Sequence, residues 1–554
     1  MNNFYKMGIY VLGLVIFLAG CSGTDAGKKE PKDTLRLIAP SDLTTLDSSL
    51  AVEAGAFEVM NATQEGLYRL DKDDKAEPAI AKGDPKKSNN GRTWTFDLRK
   101  DAKWSNGEPV TAHDFVYAWR RAVDPETAAE YAYIMYDIKN AEAINKSEKK
   151  VEELGVKAID DHTLELTLNE ELPYYKELLT FGTFMPLNEK FVKKQGSKYG
   201  TSVDKTLYSG PFVMKSWKVE DNYKLKKNKE YWDKDNVALK GIDYSVIKDE
   251  QTALNLYNND KVDTTELSSQ NVNSNKDKEG FDTKLESATY YIQINTQTNK
   301  DLQNKDLRAA IAQAIDKKAY VNNNLNDGSA PIDTFTPKEV FTNDEKQDYN
   351  KLVNPPYSYD VKKAQASLEK AKKDLGKDKI NIEFLTFDQD NAKRDAEYFK
   401  EQVEKHLPGV TMSIKQQPNK QKIALTKKGD YDVALTGWGP DYPDPMTFLD
   451  LFLSETTKGE TGYNNPKYDK IINDGKTTLL KDPDKRWDEL ANAEEMLLED
   501  AMVIPLYQKG KARLTKKEVN GRIIHYVWTK EYKHVKLDRY DNQLRTILKI
   551  IFNK

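Results

Sequence analysis

The one cysteine of this chain stands at position 21 of 554 residues, directly after a short apolar run. No intrachain disulfide can form, so the body that follows must be held together by burial. A chain of this length can bury several cores, and about 150 residues per domain predicts three or four of them. Before Cys21 come a positive residue, Lys6, an apolar stretch over 9–18 broken only by Tyr10 and Gly13, and then Ala19-Gly20. That stretch is shorter than the ~20 apolar residues that span a bilayer. It has the layout of a secretory signal ending in small residues. No second run of transmembrane length follows and charged residues make up 31% of the chain, so the exported body is expected to be soluble. Losing Lys6 with the signal would make a formal charge of −4 slightly more negative. Nucleic acid calls for a clustered basic face, and this mildly acidic balance speaks against it.

Residues 22–33 are small, polar and charged, and read as a flexible linker. Strand signals follow at 35–39, 94–98 and 163–168, the last two alternating with period two. Helical spacing appears over 114–123, 307–321, 362–375 and 486–500. Asp306 or Asn304 is placed to cap the second of these, and Gly376 to end the third. Strands and helices interleave throughout, which predicts a mixed α/β fold without a solenoid repeat. The Asn-rich stretch 322–326 and the polar stretch 268–278 are expected to be loops.

In the segment 101–117, Asn106-Gly107 is a turn pair, because glycine tolerates positive φ at no steric cost. Thr111 or Ala112 precedes an apolar helical run, and Asp114 brings a carboxylate to its N-terminus. Locally this is a hairpin leading into a helix. As a string, Trp104-Ser105-Asn106-Gly107-Glu108-Pro109-Val110-Thr111-Ala112-His113-Asp114 is the first of four blocks. The second joins Ser209-Gly210-Pro211-Phe212 to Asn228-Lys229-Glu230-Tyr231-Trp232-Asp233, and the third is Leu307-Arg308-Ala309-Ala310-Ile311-Ala312-Gln313-Ala314-Ile315-Asp316. The fourth is Tyr431-Asp432-Val433-Ala434-Leu435-Thr436-Gly437-Trp438-Gly439-Pro440-Asp441-Tyr442-Pro443-Asp444-Pro445. In this order, over about 34–521, they resemble the oligopeptide-binding lipoproteins of ATP-driven peptide importers, extracellular solute-binding protein family 5. Leu18-Ala19-Gly20-Cys21 resembles a bacterial lipobox, in which the thiol is lipidated and becomes the new N-terminus.

The resemblance implies an α/β fold of the periplasmic-binding-protein-like type II, with two hinged lobes and an extra inserted domain. Carried onto this chain, domain I combines 34–70, 205–298 and 508–540; domain II is 71–204; domain III is 299–507. Crossings near 298 and 507 would form the hinge. The implied protein is a monomer that closes over an oligopeptide and delivers it to the permease and ATPase subunits of an ABC importer. A lipid on Cys21 would hold it at the extracellular face of the cell membrane. A peptide pheromone or a non-peptide ligand on the same fold stays open. The tail 541–554, with basic and apolar residues alternating, departs from the family's usual end. It reads as a poorly ordered extension or, less simply, as a membrane-surface helix.

A protein that grips peptides of differing sequence must bind what all of them share, which is the backbone and the terminal ammonium. Gly437 and Gly439 flank Trp438 and would let another backbone approach, though spacing alone equally allows a bulge or turn. The resemblance places Glu53 and Gly55 on the opposite edge. It makes Asp441 the partner of the ligand's N-terminal ammonium, a charge-assisted contact worth roughly 1.5–3 kcal/mol. Trp438, Tyr442 and Tyr117 are the expected aromatic walls, Tyr507 a further one, and Trp104 a packing residue. Asp444, between two prolines, reads as a turn carboxylate. Leu435 stands where some relatives carry a basic residue that meets a ligand carboxylate, which leaves capture of the ligand's C-terminus open. Catalysis finds little support. Paired carboxylates such as Asp441 and Asp444 could suit glycoside hydrolysis, but nothing else in the sequence supports it. There is no nucleophile elbow or phosphate loop, and the five histidines show no zinc spacing. No cofactor or metal is expected.

Overall fold

The computed structural model describes residues 32–539 except 344–345, 389, 458 and 527–529. The signal at 1–21 with Cys21, the linker up to residue 31 and the tail 541–554 lie outside the described residues.

Alternation explains the first sheet. In Thr34–Ala39, Leu35, Leu37 and Ala39 are buried, while Arg36 and Ile38 are half-exposed. The strand pairs parallel with Gly241–Val246, and Asn222–Lys227 and Phe212–Lys218 continue the sheet antiparallel. Helix Ala54–Thr63 packs Ala56, Val59 and Met60 into the same core. A second, antiparallel sheet runs Lys86–Ser88, Thr93–Asp97, Thr163–Thr167, Val156–Asp160. Its Trp94, Phe96, Leu164 and Leu166 pack with Phe115 and Trp119 of helix Ala112–Val123. That helix starts where the sequence places it, since the Asp114 carboxylate accepts the Thr111 backbone N–H at 2.7 Å. The preceding turn has Gly107 at φ +89°, and Trp104 is fully buried as a packing residue.

The third sheet is built on two long strands, Phe281–Ile294 and Val503–Thr515, paired antiparallel from Phe281↔Leu514 to Gln293↔Val503. Near one end, Thr264–Leu267 flanks the pair on the side of Val503–Thr515. Towards the other, Val433–Trp438 flanks it on the side of Phe281–Ile294, followed by Ile380–Phe387 and Val410–Gln417. The register breaks between Leu285 and Thr289, opposite Gly510 and Gln508.

Helices follow their capping chemistry. The Asn304 side chain accepts from Leu307 N at 3.0 Å and so takes the capping role from Asp306. Helix Val361–Leu375 stops at Gly376, φ +64°. Helix Pro483–Glu499 starts earlier than its apolar spacing suggested, because Asp482 caps it and Pro483 fits the first turn.

Three expectations change. The helix expected over 307–321 ends at Ala314, where Ile315 is extended and Asp316 caps a new turn, Lys317–Tyr320. The stretch expected as an Asn-rich loop is then the wide helical turn Val321–Leu325, closed by Asn326 in the left-handed region. The polar stretch around 268–278 contains helix Ser269–Asn275. Glu250 organises it by accepting from Ser268 N at 2.8 Å and Asn271 Nδ2 at 2.9 Å. Side-chain hydrogen bonds stand in for apolar periodicity there, so no pattern announced it.

Candidate functional site

A cleft of about 3330 Å³ is bounded on one side by elements of the first sheet, helix Ala54–Thr63 and residues 522, 524–526, 530 and 532, and on the other by 322–327, 423–427 and 483–487. Strand Val433–Trp438 reaches this cleft and is only half paired. One edge is bonded along its length to Phe281–Ile294. The other meets Ile380–Phe387 only at Phe384↔Val433 and Leu385↔Ala434. Among the described residues, the backbone of 436–438 therefore has a free edge. Gly437 stands opposite Tyr290, and a Cβ there would come within 3.0 Å of that ring. A side chain at this position would press on the Tyr290 ring.

Just beyond the strand, 437–441 forms one wall of a smaller pocket of about 200 Å³, with Val52, Ala54, Phe57 and Phe181 opposite. Asp441 lines it and is 8% exposed. Its Oδ2 accepts from the Tyr133 hydroxyl at 3.2 Å, and its backbone N–H donates to Thr447 Oγ1 at 3.1 Å. No cation pairs with it among the described residues. Burial pushes its carboxyl up to about 7, with the Tyr133 hydrogen bond opposing and the Asp450 charge adding. A buried carboxylate without a counter-ion is a poor structural feature and a good receptor for a positive group.

Asp444 contrasts with it. It forms a forked pair with Arg486 at 2.8 Å on both nitrogens, both residues being buried, and its Oδ1 accepts from Met446 N at 3.0 Å. It is more than a turn carboxylate, because it ties this loop to helix Pro483–Glu499. Two acids three positions apart thus have opposite electrostatic states, and the deciding partner lies over forty residues away.

The other expected contacts divide. Glu53 and Gly55 line the cleft, and Gly55 faces open space. Trp438 and Gly439 line the small pocket, with the Trp438 indole N–H anchored on Thr447 O at 2.9 Å. Tyr442, Tyr507 and Tyr117 are not among the lining residues. Tyr442 is buried and stacks on Tyr174 with ring centroids 4.6 Å apart. Tyr507 is buried and stacks on Tyr290 at 5.0 Å, so Tyr290 is the member of that stack at the cleft. Tyr117 packs partly buried on the core with Lys193 6.0 Å above its ring. Leu435 is buried in the core and does not line the cleft.

Sequence reasoning missed Tyr290, Phe57, Phe181, Tyr131 and Tyr133. Only Tyr290 had a readable signal, as an aromatic in an alternating strand. Among the described residues, no group of acids, histidines or cysteines has metal-site geometry, and no helix is long and apolar enough to cross a membrane.

A deep cleft beside a half-free strand edge and an unpaired buried acid defines a solute-binding protein rather than a structural body. Residues 75–460 match the model of the bacterial extracellular solute-binding proteins, family 5, and the chain belongs to that family. It is 33% identical to the dipeptide-binding protein of Lactococcus lactis over 530 residues, covering 93% of this chain and 96% of that one. Among solved structures it is similar to the substrate-binding domain of an oligopeptide ABC transporter from Bacillus anthracis, with TM-score 0.85 and 45% identity over 92% of this chain and 99% of the other. It is also similar to Listeria monocytogenes OppA bound to peptide, with TM-score 0.84, 42% identity and the same coverage. The fold is thus of the expected class.

Proposed function

We propose that this chain captures oligopeptides in its cleft and hands them to the permease and ATPase subunits of an ABC importer. The observation that carries the reading is the free backbone edge at 436–438 beside Asp441. An extended peptide laid along that edge gains main-chain hydrogen bonds whatever its side chains, and its terminal ammonium neutralises Asp441, which lines the pocket without a cation partner among the described residues. Similarity to peptide-binding relatives over almost the whole chain supports the same reading.

Three features follow from it. The ligand is released chemically unchanged, so the protein is a carrier and not an enzyme. The domain divisions 34–70 with 205–298 and 508–540, 71–204, and 299–507 describe lobes that move as units. The hinge of that motion lies at the chain crossings near 298 and 507. The protein works as a monomer at the extracellular face, tethered through a lipid on Cys21.

Native mass spectrometry of the purified protein tests the ligand class, with co-purifying masses expected to fragment as mixed peptides. Small-angle scattering before and after peptide addition tests the hinge. Binding without compaction would refute closure, and failure of every free-amine peptide to bind would refute the ligand class.

A further inference from the structure

The part of the cleft lined by helix Ala54–Thr63, the third-sheet strands Thr264–Leu267 and Val503–Thr515, and residues 522 and 524–526 carries a dense set of charges, many of them matched. Lys530 lies 2.7 Å from Glu58, Lys511 lies 3.1 Å from Glu266, and His525 Nδ1 lies 2.7 Å from Asp74. Besides Lys284, the exception is Arg522. It lines the cleft half-buried, and one nitrogen, Nη1, donates to Thr264 Oγ1 at 3.1 Å. Its Nε is buried without any partner, as is the hydroxyl of the nearby cleft residue Tyr526. No carboxylate pairs with this guanidinium among the described residues.

The backbone holds Arg522 in place. Gly521 turns the chain at φ +76°, with the His534 carbonyl oxygen 2.7 Å from where a Cβ would stand. The next residues, Ile523–Ile524, pair with Lys530–Glu531 in a short ribbon. The Lys284 ammonium donates to Ile524 O at 3.3 Å and adds another positive group beside it. The local field agrees. Burial raises the Glu266 carboxyl, yet the Lys511, Lys530 and Arg513 charges hold it down to about 2. Glu58 is lowered too, with Lys530 and Arg522 outweighing burial.

A planar guanidinium with no carboxylate partner among the described residues, lining a ligand cleft, suits the forked geometry of a carboxylate. We propose that Arg522 is the centre of a carboxylate subsite for bound peptide, distinct from the ammonium site at Asp441. This rests on the peptide reading above. The carboxylate can come from an acidic side chain or from the ligand's C-terminus, and both present the same group to Arg522.

Paired peptides of one length separate these sources. One series exchanges Glu for Gln at each position in turn, and another exchanges the C-terminal acid for its amide. Each twin is titrated by calorimetry against the protein, R522Q and R522K. The expected result is a roughly 10- to 100-fold preference for the acid in a single twin pair, which identifies the source. R522Q should bring that ratio close to one, and R522K should keep part of it. Because the ratio is taken within each variant, a general loss of stability does not imitate it. Twins that bind within twofold at every place, or a ratio unchanged in R522Q, would overturn the subsite while leaving peptide binding intact. If no peptide of either series binds, the peptide reading fails and the subsite fails with it.

Discussion

Replacing Asp441 by asparagine keeps the shape of the small pocket and removes its charge. In the free protein burial holds this carboxyl at about 7, against about 3.9 for an ordinary aspartate. Between those values the folded state binds more protons than the unfolded state, so stability falls as pH rises through the window. Three pH units at 1.36 kcal/mol each make this about 4 kcal/mol in all. D441N lacks that slope and should be the more stable ligand-free protein at pH 8. Ligand binding runs the other way. A terminal ammonium needs the ionised carboxylate, so affinity should rise up to tenfold per pH unit towards 7. It then levels off, and falls again as the peptide amine, near 8, loses its proton. Removing one partner of a buried pair costs about 3–5 kcal/mol, so D441N should bind a free-amine peptide at pH 7 roughly 150- to 5,000-fold more weakly. Calorimetry with free and N-acetylated forms of one peptide, on both proteins, closes the cycle. Acetylation should cost the natural protein nearly all that D441N costs, and should cost D441N little further. If the two proteins bind the free peptide within threefold, or the natural protein accepts the acetylated form equally well, the reasoning from Asp441 is wrong.

Other outcomes follow from the same geometry. Gly437→Ala puts a methyl 3.0 Å from the Tyr290 ring at the strand edge, and should weaken peptide binding at least tenfold while moving the thermal midpoint little. Arg486→Ala leaves Asp444 buried and unpaired and should destabilise the protein by about 3–5 kcal/mol, read by urea unfolding. Asp444→Asn in the same background should recover part of that loss, and a null result in the double variant would show the pair is not coupled. Gly521→Ala must hold φ +76° with its methyl 2.7 Å from the His534 oxygen. It should cost about 1–2 kcal/mol in left-handed strain alone, visible as a lower melting temperature.

The local rules of the chain were sufficient for its local structure. Strand signals marked 35–39, 94–98 and 163–168, and capping chemistry set the start at Thr111 and the stop at Gly376, because these depend on neighbours a few residues away. Where short-range hydrogen bonds replaced hydrophobic spacing, as under Glu250 in Ser269–Asn275, the same rules were silent. The ordered blocks from Trp104 to Pro445 pointed to the family, and Gly437, Gly439, Trp438, Glu53, Gly55 and Asp441 were legible as cleft residues through that likeness. The tertiary structure alone decided which acid is free, since Arg486 neutralises Asp444 from a distant helix and leaves Asp441 with one phenol. It alone sent Tyr507, Tyr442 and Tyr117 into packing and brought Tyr290 and Phe181 to the walls of the cleft and the small pocket, because an aromatic side chain's preference for burial is the same in a core as in a cleft wall. It alone left Arg522 without a carboxylate among the described residues. Charge pairing is settled by groups within 4 Å in space, and sequence order does not record that distance.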